Sequence, residues 1–513
     1  MMAVDSLRET HHINRVRAQD LGVLWSAQSY RPDVTGALQK IRSMPFRPLS
    51  AICSNAIGPG PHPKFAAAGH PCLKTKNVLG MVVDAGDVDF AEPADARRWP
   101  HYQVQPEDLV LNVTGAGSIG RVGIYFGTDR PLTNQHLAKL CISPTADAAF
   151  VCAFLSCRWG ERALEQGISG STGQLNLVND HIRQVPVFTP DLTVQRYIGN
   201  KVRQAERLRE RARRLARDVR QHHVKLIPVF RPTRDKWNTF RLSPGAFADV
   251  MVPHFYPPAV AEYLAGRNNE SLRHLCEVVY SGETYEPDDQ GVDQATSRSC
   301  TGRFLWRPCN QVRPPSRTDL DLRAHDLLLT NAAHDKGYIG TDVTYYHGGP
   351  RNIPSAKVMA LRPNLTVVPA SYLFTYLQTP VGYLQIQSAI RGITAGIRAQ
   401  DVAAIRIPLP AMTTQERAAW FATDTQMAEA GAAEETASLL CTAAVLLVER
   451  LIDGRIQEAD LVAAQRALEV GDRGLDRVVL KSLHQSGGTG DQPLFVDVDA
   501  LFALLNSVEE ELA

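Results

Sequence analysis

Apolar residues recur at helical spacing in two long stretches of the chain, each following a region of mixed pattern. In the first stretch Val194, Ile198, Val202, Ala205, Leu208, Ala212, Leu215 and Val219 are spaced 4, 4, 3, 3, 4, 3 and 4. Positions three and four apart share one helix face, so this spacing predicts a single helix with a heptad-like seam for a partner helix. Pro190 precedes it, and Asp191 or Thr193 supplies an N-terminal cap. The second stretch runs from Thr413 to about Leu451. Its seam holds Trp420, Thr423, Met427, Ala430, Ala437, Leu440, Ala444, Leu447 and Leu451. This seam is less clean, because Thr423 is only half apolar and Glu434 falls on the same face.

The mixed regions carry shorter patterns. Asp108 to Val113 and Arg121 to Phe126 read as strands about a turn, as do Asp326 to Thr330 and Thr341 to Tyr346. Ala148 to Glu165 reads as a helix, and so does Tyr372 to Leu384. Gly58-Pro-Gly-Pro61, Pro308, Pro314-Pro315 and Gly348-Gly-Pro350 punctuate the rest. The expected architecture is α+β: two loop-rich domains in tandem, each followed by a long helix, with the two helices pairing as an antiparallel coiled coil.

The two mixed regions are copies of one frame. Pro48-Leu-Ser-Ala-Ile-Cys53 matches Ser271-Leu-Arg-His-Leu-Cys276, an offset of 223. Asp108-Leu-Val-Leu-Asn112 matches Asp326-Leu-Leu-Leu-Thr330 at 218. Val187-Phe-Thr-Pro190 with Gln195 matches Ile407-Pro-Leu-Pro410 with Gln415 at 220. Three matches in one order at nearly one offset describe a duplicated domain, because the period is too long for a solenoid.

Charge changes the picture of the helices more than that of the whole. Net charge is +1 and composition is ordinary, with 44% hydrophobic and 21% charged residues, so no global basic footprint exists. Locally, Arg196 to Arg220 hold ten basic residues against Glu206, Glu210 and Asp218. The second helix carries Glu416, Asp424, Glu429, Glu434, Glu435, Glu449 and Asp453 against few bases. Opposite signs suit mutual pairing, and the outer basic face also suits phosphates. Nine cysteines without a CxxC pair read as buried reduced thiols. No window approaches the roughly 18 apolar residues of a membrane span, and Met1 to Thr10 lacks a signal-peptide core, so a soluble cytoplasmic protein is expected.

One motif invites an enzymatic reading. Gly115-Ala-Gly-Ser-Ile-Gly120 fits G-x-G-x-x-G. A dinucleotide or S-adenosylmethionine site needs a helix opening at those glycines, with its N-terminus at the ligand. Here Arg121-Val-Gly-Ile-Tyr-Phe126 follows, which reads as a strand. No Asn/Asp-Pro-Pro-Tyr/Phe run, P-loop or H-E-x-x-H is present. Asp319, Asp321 and Asp326 could suggest a metal cluster, but Asp319 and Asp321 alternate with leucines as in a solvated turn and no second cluster completes a site; His222/His223 read as surface residues near a helix end. Neither a catalytic residue nor a bound metal or cofactor is expected in this chain.

Several segments together resemble the specificity subunits of type I restriction-modification systems. They are Asp108 to Gly120, Thr133-Asn-Gln-His-Leu137, Gly170-Ser-Thr-Gly-Gln174, Val185 to Pro190 with Gln195, Ile405 to Pro410 with Gln415, and Leu451-Ile-Asp-Gly-Arg-Ile456. The resemblance spans about residues 40 to 456. It implies a target-recognition domain over 1–190, a helical spacer over 191–225, a second target-recognition domain over 226–410, a second spacer over 411–456, and a C-terminal helical extension over 457–513. It further implies a non-catalytic subunit that reads a bipartite double-stranded DNA target. Two methyltransferase subunits would dock on it and bring S-adenosylmethionine and adenine chemistry, and a translocase-nuclease subunit would join in restriction. Phosphate contacts would position the protein, and base-edge contacts would specify the target. Candidate DNA contacts in the first copy are Lys74, Lys76, Asn112, Thr114, Ser118, Arg121, Asn134, Gln135, His136, Ser171 and Gln174. In the second they are Arg298, Arg303, Lys336, Arg391, Thr394 and Arg398. A polar network that merely holds the loops is an equal reading of Asn134-Gln135-His136.

This chain also departs from the resemblance. The second copy has Asn331-Ala-Ala-His-Asp-Lys-Gly337 in place of the glycine turn, and no clear Asn-Gln-His. The extension, with helices near Leu461 to Glu469 and Asp497 to Glu511, either docks a partner or packs on the spacers. Alternatives are a specificity subunit of another phage-defence or DNA-modification system, and a self-contained S-adenosylmethionine-dependent methyltransferase. A coiled-coil scaffold that never touches DNA is a further one.

Overall fold

The computed structural model describes residues 15–512 apart from 19–20, 116, 171–174, 232–249, 251, 306–309, 393–394 and 486–491. Two compact units emerge. One comprises Met1–Arg207, Ala437–His484 and Pro493–Glu509, the other Leu208–Thr436, Gln485–Gln492 and Glu510–Ala513. The division falls inside both long helices, Leu192–Leu226 and Thr414–Ile452.

The duplicated frame is visible in each unit. In the first, Phe46–Pro48 pairs antiparallel with Pro186–Phe188 and clasps the incoming chain to the outgoing chain. In the second, Asn269–Ser271 pairs the same way with Arg406–Pro408. One turn of helix follows each clasp, Leu49–Ile52 and Leu272–Leu275, with its first and last leucine or isoleucine buried. The central strand Leu109–Asn112 lies between Val122–Ile124 and Leu137–Leu140, antiparallel to both. Its counterpart Leu327–Thr330 lies between Thr344–Tyr345 and Val358–Pro363, again antiparallel to both. All four residues of each central strand are buried, which explains continuous apolar runs instead of alternation.

Each central strand is reached through one kind of turn. Glu107 and His325 occupy the left-handed region at φ 66° and 75°, which non-glycine residues rarely adopt. Their N–H groups donate to the Tyr125 and Tyr346 carbonyls at 2.6 and 2.7 Å, and those tyrosines donate back to Asp108 and Asp326 at 3.0 and 2.9 Å. The aspartate carboxylates close the turn by accepting the Gln105 and Arg323 N–H groups at 2.7 and 2.9 Å. The repeated Asp therefore marks a turn that orients the strand.

Two expected helices are each broken in two. The first runs Ala148–Ser156 and Arg158–Glu165, the second Ala370–Leu377 and Pro380–Ser388. Cys157 is extended, and Pro380 cannot continue a helix. Glycine lets the halves fold back closely. A Cβ on Gly160 would sit 2.0 Å from the Phe154 carbonyl oxygen, and one on Gly382 would sit 2.2 Å from that of Tyr376.

The long helices bury their seams. Every predicted seam residue of the second helix is buried, and so is every one of the first except Leu215, which is half-buried. Within the second unit, Arg209 faces Glu434 at 3.9 Å and Arg211 faces Glu429 at 3.7 Å. Ascending one helix descends the other, so the pairing is antiparallel. Glu434, the flaw in the second seam, thus meets an arginine of its partner. Gln195 is buried and bonds the Asp147 N–H and the Pro190 carbonyl, whereas Gln415 is exposed, so that part of the sequence repeat is not kept in space.

His223 differs from its expected surface position. It is fully buried, with Nε2 3.1 Å from Ser371 Oγ, and burial pushes its pKa down to about 3. At neutral pH the buried imidazole is therefore neutral, a form that can still share a hydrogen bond with the Ser371 hydroxyl. Close by, the second long helix caps a neighbour. Pro369 has no side chain able to cap Ala370–Leu377, and the Asp424 carboxylate accepts the Ala370 and Ser371 N–H groups at 2.9 and 2.8 Å instead.

The extension forms three helices, Glu458–Glu469, Gly474–Ser482 and Val498–Leu512. It packs on the first long helix within the first unit. Lys201 Nζ lies 2.6 Å from Asp476 Oδ1, and the Tyr197 hydroxyl donates to the same oxygen at 2.7 Å. All three side chains are buried. Among the described residues, no helix is long and apolar enough to cross a membrane, and no three His, Cys, Asp or Glu side chains are grouped as metal ligands.

Candidate nucleic-acid interface

The glycine turn of the first unit closes on itself. Gly115, Gly117 and Gly120 all have positive φ, at 106°, 78° and 81°. The Ser118 and Ile119 N–H groups donate to the Gly115 carbonyl, that of Gly120 to Asn112, and that of Arg121 to Ser118. These donors are spent inside the turn, and the strand Val122–Ile124 follows. A phosphate cradle of the dinucleotide kind needs N–H groups at a helix start, and a strand follows this turn instead.

Around that turn the fold gathers most first-copy candidates. Arg121 Nη1 donates to the Val78 carbonyl at 3.2 Å, and Asn112 Nδ2 to that of Thr75 at 3.3 Å, which draws in the loop bearing Lys74 and Lys76. Thr114 Oγ1 is 2.7 Å from His136 Nδ1, and Gln135 Nε2 is 2.9 Å from His136 Nε2. The His136 N–H donates to Asn134 Oδ1 at 3.1 Å. Asn112 and Asn134 are buried and shape the loops, whereas Thr114, Ser118, Arg121, Gln135 and His136 are half-buried with a face to solvent. Leu177 N–H donates to the Val113 carbonyl, so the hairpin of Ile168–Ser169 and Asn176–Leu177 abuts the same turn. Ser171 and Gln174 lie outside the described residues.

The lysines have acidic companions that the sequence reading missed. Lys74 is 3.0 Å from Asp89 and Lys76 is 3.0 Å from Asp87. The signal was present as a pair of matched spacings, Lys-x-Lys against Asp-x-Asp, brought together by antiparallel pairing of His70–Leu73 with Asp89–Ala91. A hydrogen bond from Lys74 holds the Asp89 carboxyl below the ordinary carboxylate range, and one to Asp87 pushes the Lys76 amine up. Lys76 and Asp87 remain exposed, so this pair is readily exchanged for another anion.

In the second unit the equivalent corner has other contents. Ala333 N–H donates to the Ala395 carbonyl and Ile397 N–H to that of Asn331, so the loops of Lys336 and of Arg391 to Arg398 come together. The Ile397–Asn331 bond is the counterpart of Leu177–Val113. Lys336 and Arg398 are exposed. Arg391 instead pairs at 2.6 Å with Asp401, whose carboxyl is buried and raised in pKa by desolvation. Arg298 and Arg303 are exposed on a separate segment, where the Arg303 carbonyl accepts the Tyr345 N–H. Thr394 lies outside the described residues.

No protein-family model matches the chain, and no curated protein matches it. Among solved structures, it is similar to the S subunit of a type I restriction-modification system from M. genitalium, at 13% identity and TM-score 0.35, over 82% of this chain and 95% of that one. It is also similar to the HsdS subunit from Thermoanaerobacter tengcongensis, at 16% identity and TM-score 0.26, over 80% and 97%. A chain from a structure of the type I restriction-modification system's complex assembly and conformational transition matches at 14% identity and TM-score 0.26, over 80% and 98%.

Proposed function

We propose that this chain is a DNA-specificity subunit that reads a bipartite duplex target and directs partner adenine methyltransferase subunits, and a restriction subunit where one is present, to it. The observation that carries the proposal is one frame used twice with unlike loops. The clasp, the aspartate turn, the central strand and the broken helix pair recur in each unit. The corner they hold presents Lys76, Arg121, Gln135 and His136 in one copy and Lys336 and Arg398 in the other. A constant scaffold with variable donors suits two half-sites of different sequence. The paired helices serve as a spacer, because helical rise is set at about 1.5 Å per residue. S-adenosylmethionine belongs to the partner in this scheme, and the strand Val122–Ile124 stands where a cofactor-binding helix would open after the glycine turn.

Two titrations of the purified chain test this. With S-adenosylmethionine, calorimetry should show no stoichiometric binding. With duplex DNA, anisotropy should show binding whose logarithm falls linearly with log salt, with a slope of about −0.9 per phosphate contact. Tight cofactor binding by the chain alone would favour a self-contained methyltransferase, and salt-independent or absent DNA binding would favour a scaffold.

A further inference from the structure

The basic first long helix meets an acidic residue near the end of the C-terminal extension. Arg211 Nη1 lies 3.1 Å from Glu511 Oε1, and Arg214 Nη2 bonds Glu511 Oε2. Two arginines three residues apart on the first long helix thus grip one carboxylate of the last tail helix. Arg217, one turn further, is 63% exposed and 3.9 Å from its neighbour Asp218. Glu511 lies about one turn beyond the buried Val508 and is itself exposed, with two arginines as its ion-pair partners.

We propose that Arg211 and Arg214 form a nucleic-acid phosphodiester site which Glu511 occupies as an internal stand-in, so that the extension sets a threshold for DNA contact along the first long helix. This rests on the DNA-reading function proposed above. A carboxylate and a phosphodiester both present two anionic oxygens to a guanidinium, so one can replace the other at the same donors. The Arg214 and Glu511 side chains are 41% and 36% exposed. A pair so exposed is weak and salt-sensitive, and opens easily. DNA that displaces it also releases counterions, which the internal carboxylate cannot match. Arg211 keeps Glu429 of the second long helix at 3.7 Å, which holds its side chain in place when Glu511 leaves.

The test compares the full chain with its E511Q variant, and with E511Q carrying R211Q and R214Q, on a non-cognate duplex over a salt series. Removing the internal anion should tighten binding about three- to tenfold near 50 mM salt, with the gain shrinking as salt screens it. The added arginine substitutions should abolish the gain. Unchanged melting curves would show that the fold is intact. Equal binding by parent and E511Q, or a gain that survives loss of both arginines, overturns the threshold alone. Failure of every variant to bind duplex overturns it together with the DNA-reading function.

Discussion

Replacing Asp476 with alanine should cost the first unit about 3–5 kcal/mol of stability, read from chemical denaturation. Lys201 is 1% exposed, and its amine has Asp476 Oδ1 at 2.6 Å as its carboxylate partner. Burial pushes the Lys201 pKa down, and only the nearby carboxylate opposes that. Removing the carboxylate leaves an ammonium to be desolvated without compensation, and it also strips the Tyr197 hydroxyl of its acceptor. Shape alone is not at stake. The double variant K201M/D476V, apolar at both positions and closer in volume to the pair it replaces, should regain part of the loss. A deficit under about 1 kcal/mol for D476A would mean that the extension is not locked to the helix as described.

A comparable loss, about 3–5 kcal/mol, is expected for R362A in the second unit. Arg362 grips Asp326 with two bonds, Nε to Oδ1 at 3.0 Å and Nη2 to Oδ2 at 2.9 Å, and the pair is almost fully buried. Without the guanidinium, the carboxylate keeps only the Arg323 N–H from its own turn, and the Asp321 carbonyl loses a donor. The first unit supplies a control. There Lys139 lies 3.8 Å from Asp108 and spends its closer bond, 2.9 Å, on the Gln103 carbonyl. K139A should therefore cost less, about 1–2 kcal/mol, by the same denaturation measurement. Equal losses would show that the repeated aspartate relies on its turn rather than on its cation.

What the sequence made legible follows from where periodicity dominates. The long helices and their seams were readable because a face must stay apolar along its whole length, and even the misplaced Glu434 found an arginine. The frame was readable because the same turn and strand chemistry was needed twice. The broken helix pairs were not, since a buried apolar run gives no sign of a reversal until Gly160 and Gly382 are seen against the carbonyls beneath them. Gly474–Ser482 was missed because its apolar residues lie on several faces. Leu475 and Val478 are exposed, while Val479 and Leu480 are buried. Burial of polar groups was not legible: His223 reads as a surface residue and Lys201 as one of ten bases on its helix, and both are buried. A single side chain carries no mark of its partner when that partner lies 148 residues away, as Ser371 does from His223, or 275, as Asp476 does from Lys201.

For the candidate interface, the sequence named residues that the fold does assemble around the glycine turn, but not what each does there. Asn112 and Asn134 have the polar atoms of a reader and the burial of a scaffold. Arg391 has the charge of a phosphate contact and a buried aspartate as its companion. Lys76 and Lys336 retain access to solvent. Burial and partner geometry separate these cases, and neither is encoded locally.

The most direct measurement is selection of bound sequences from a random duplex library by the full-length chain. Two short conserved blocks, different from each other and separated by an unspecified gap of constant length, are the predicted result. A single contiguous block, or no enrichment at a salt concentration where duplex binds, would contradict two recognition lobes on a helical spacer.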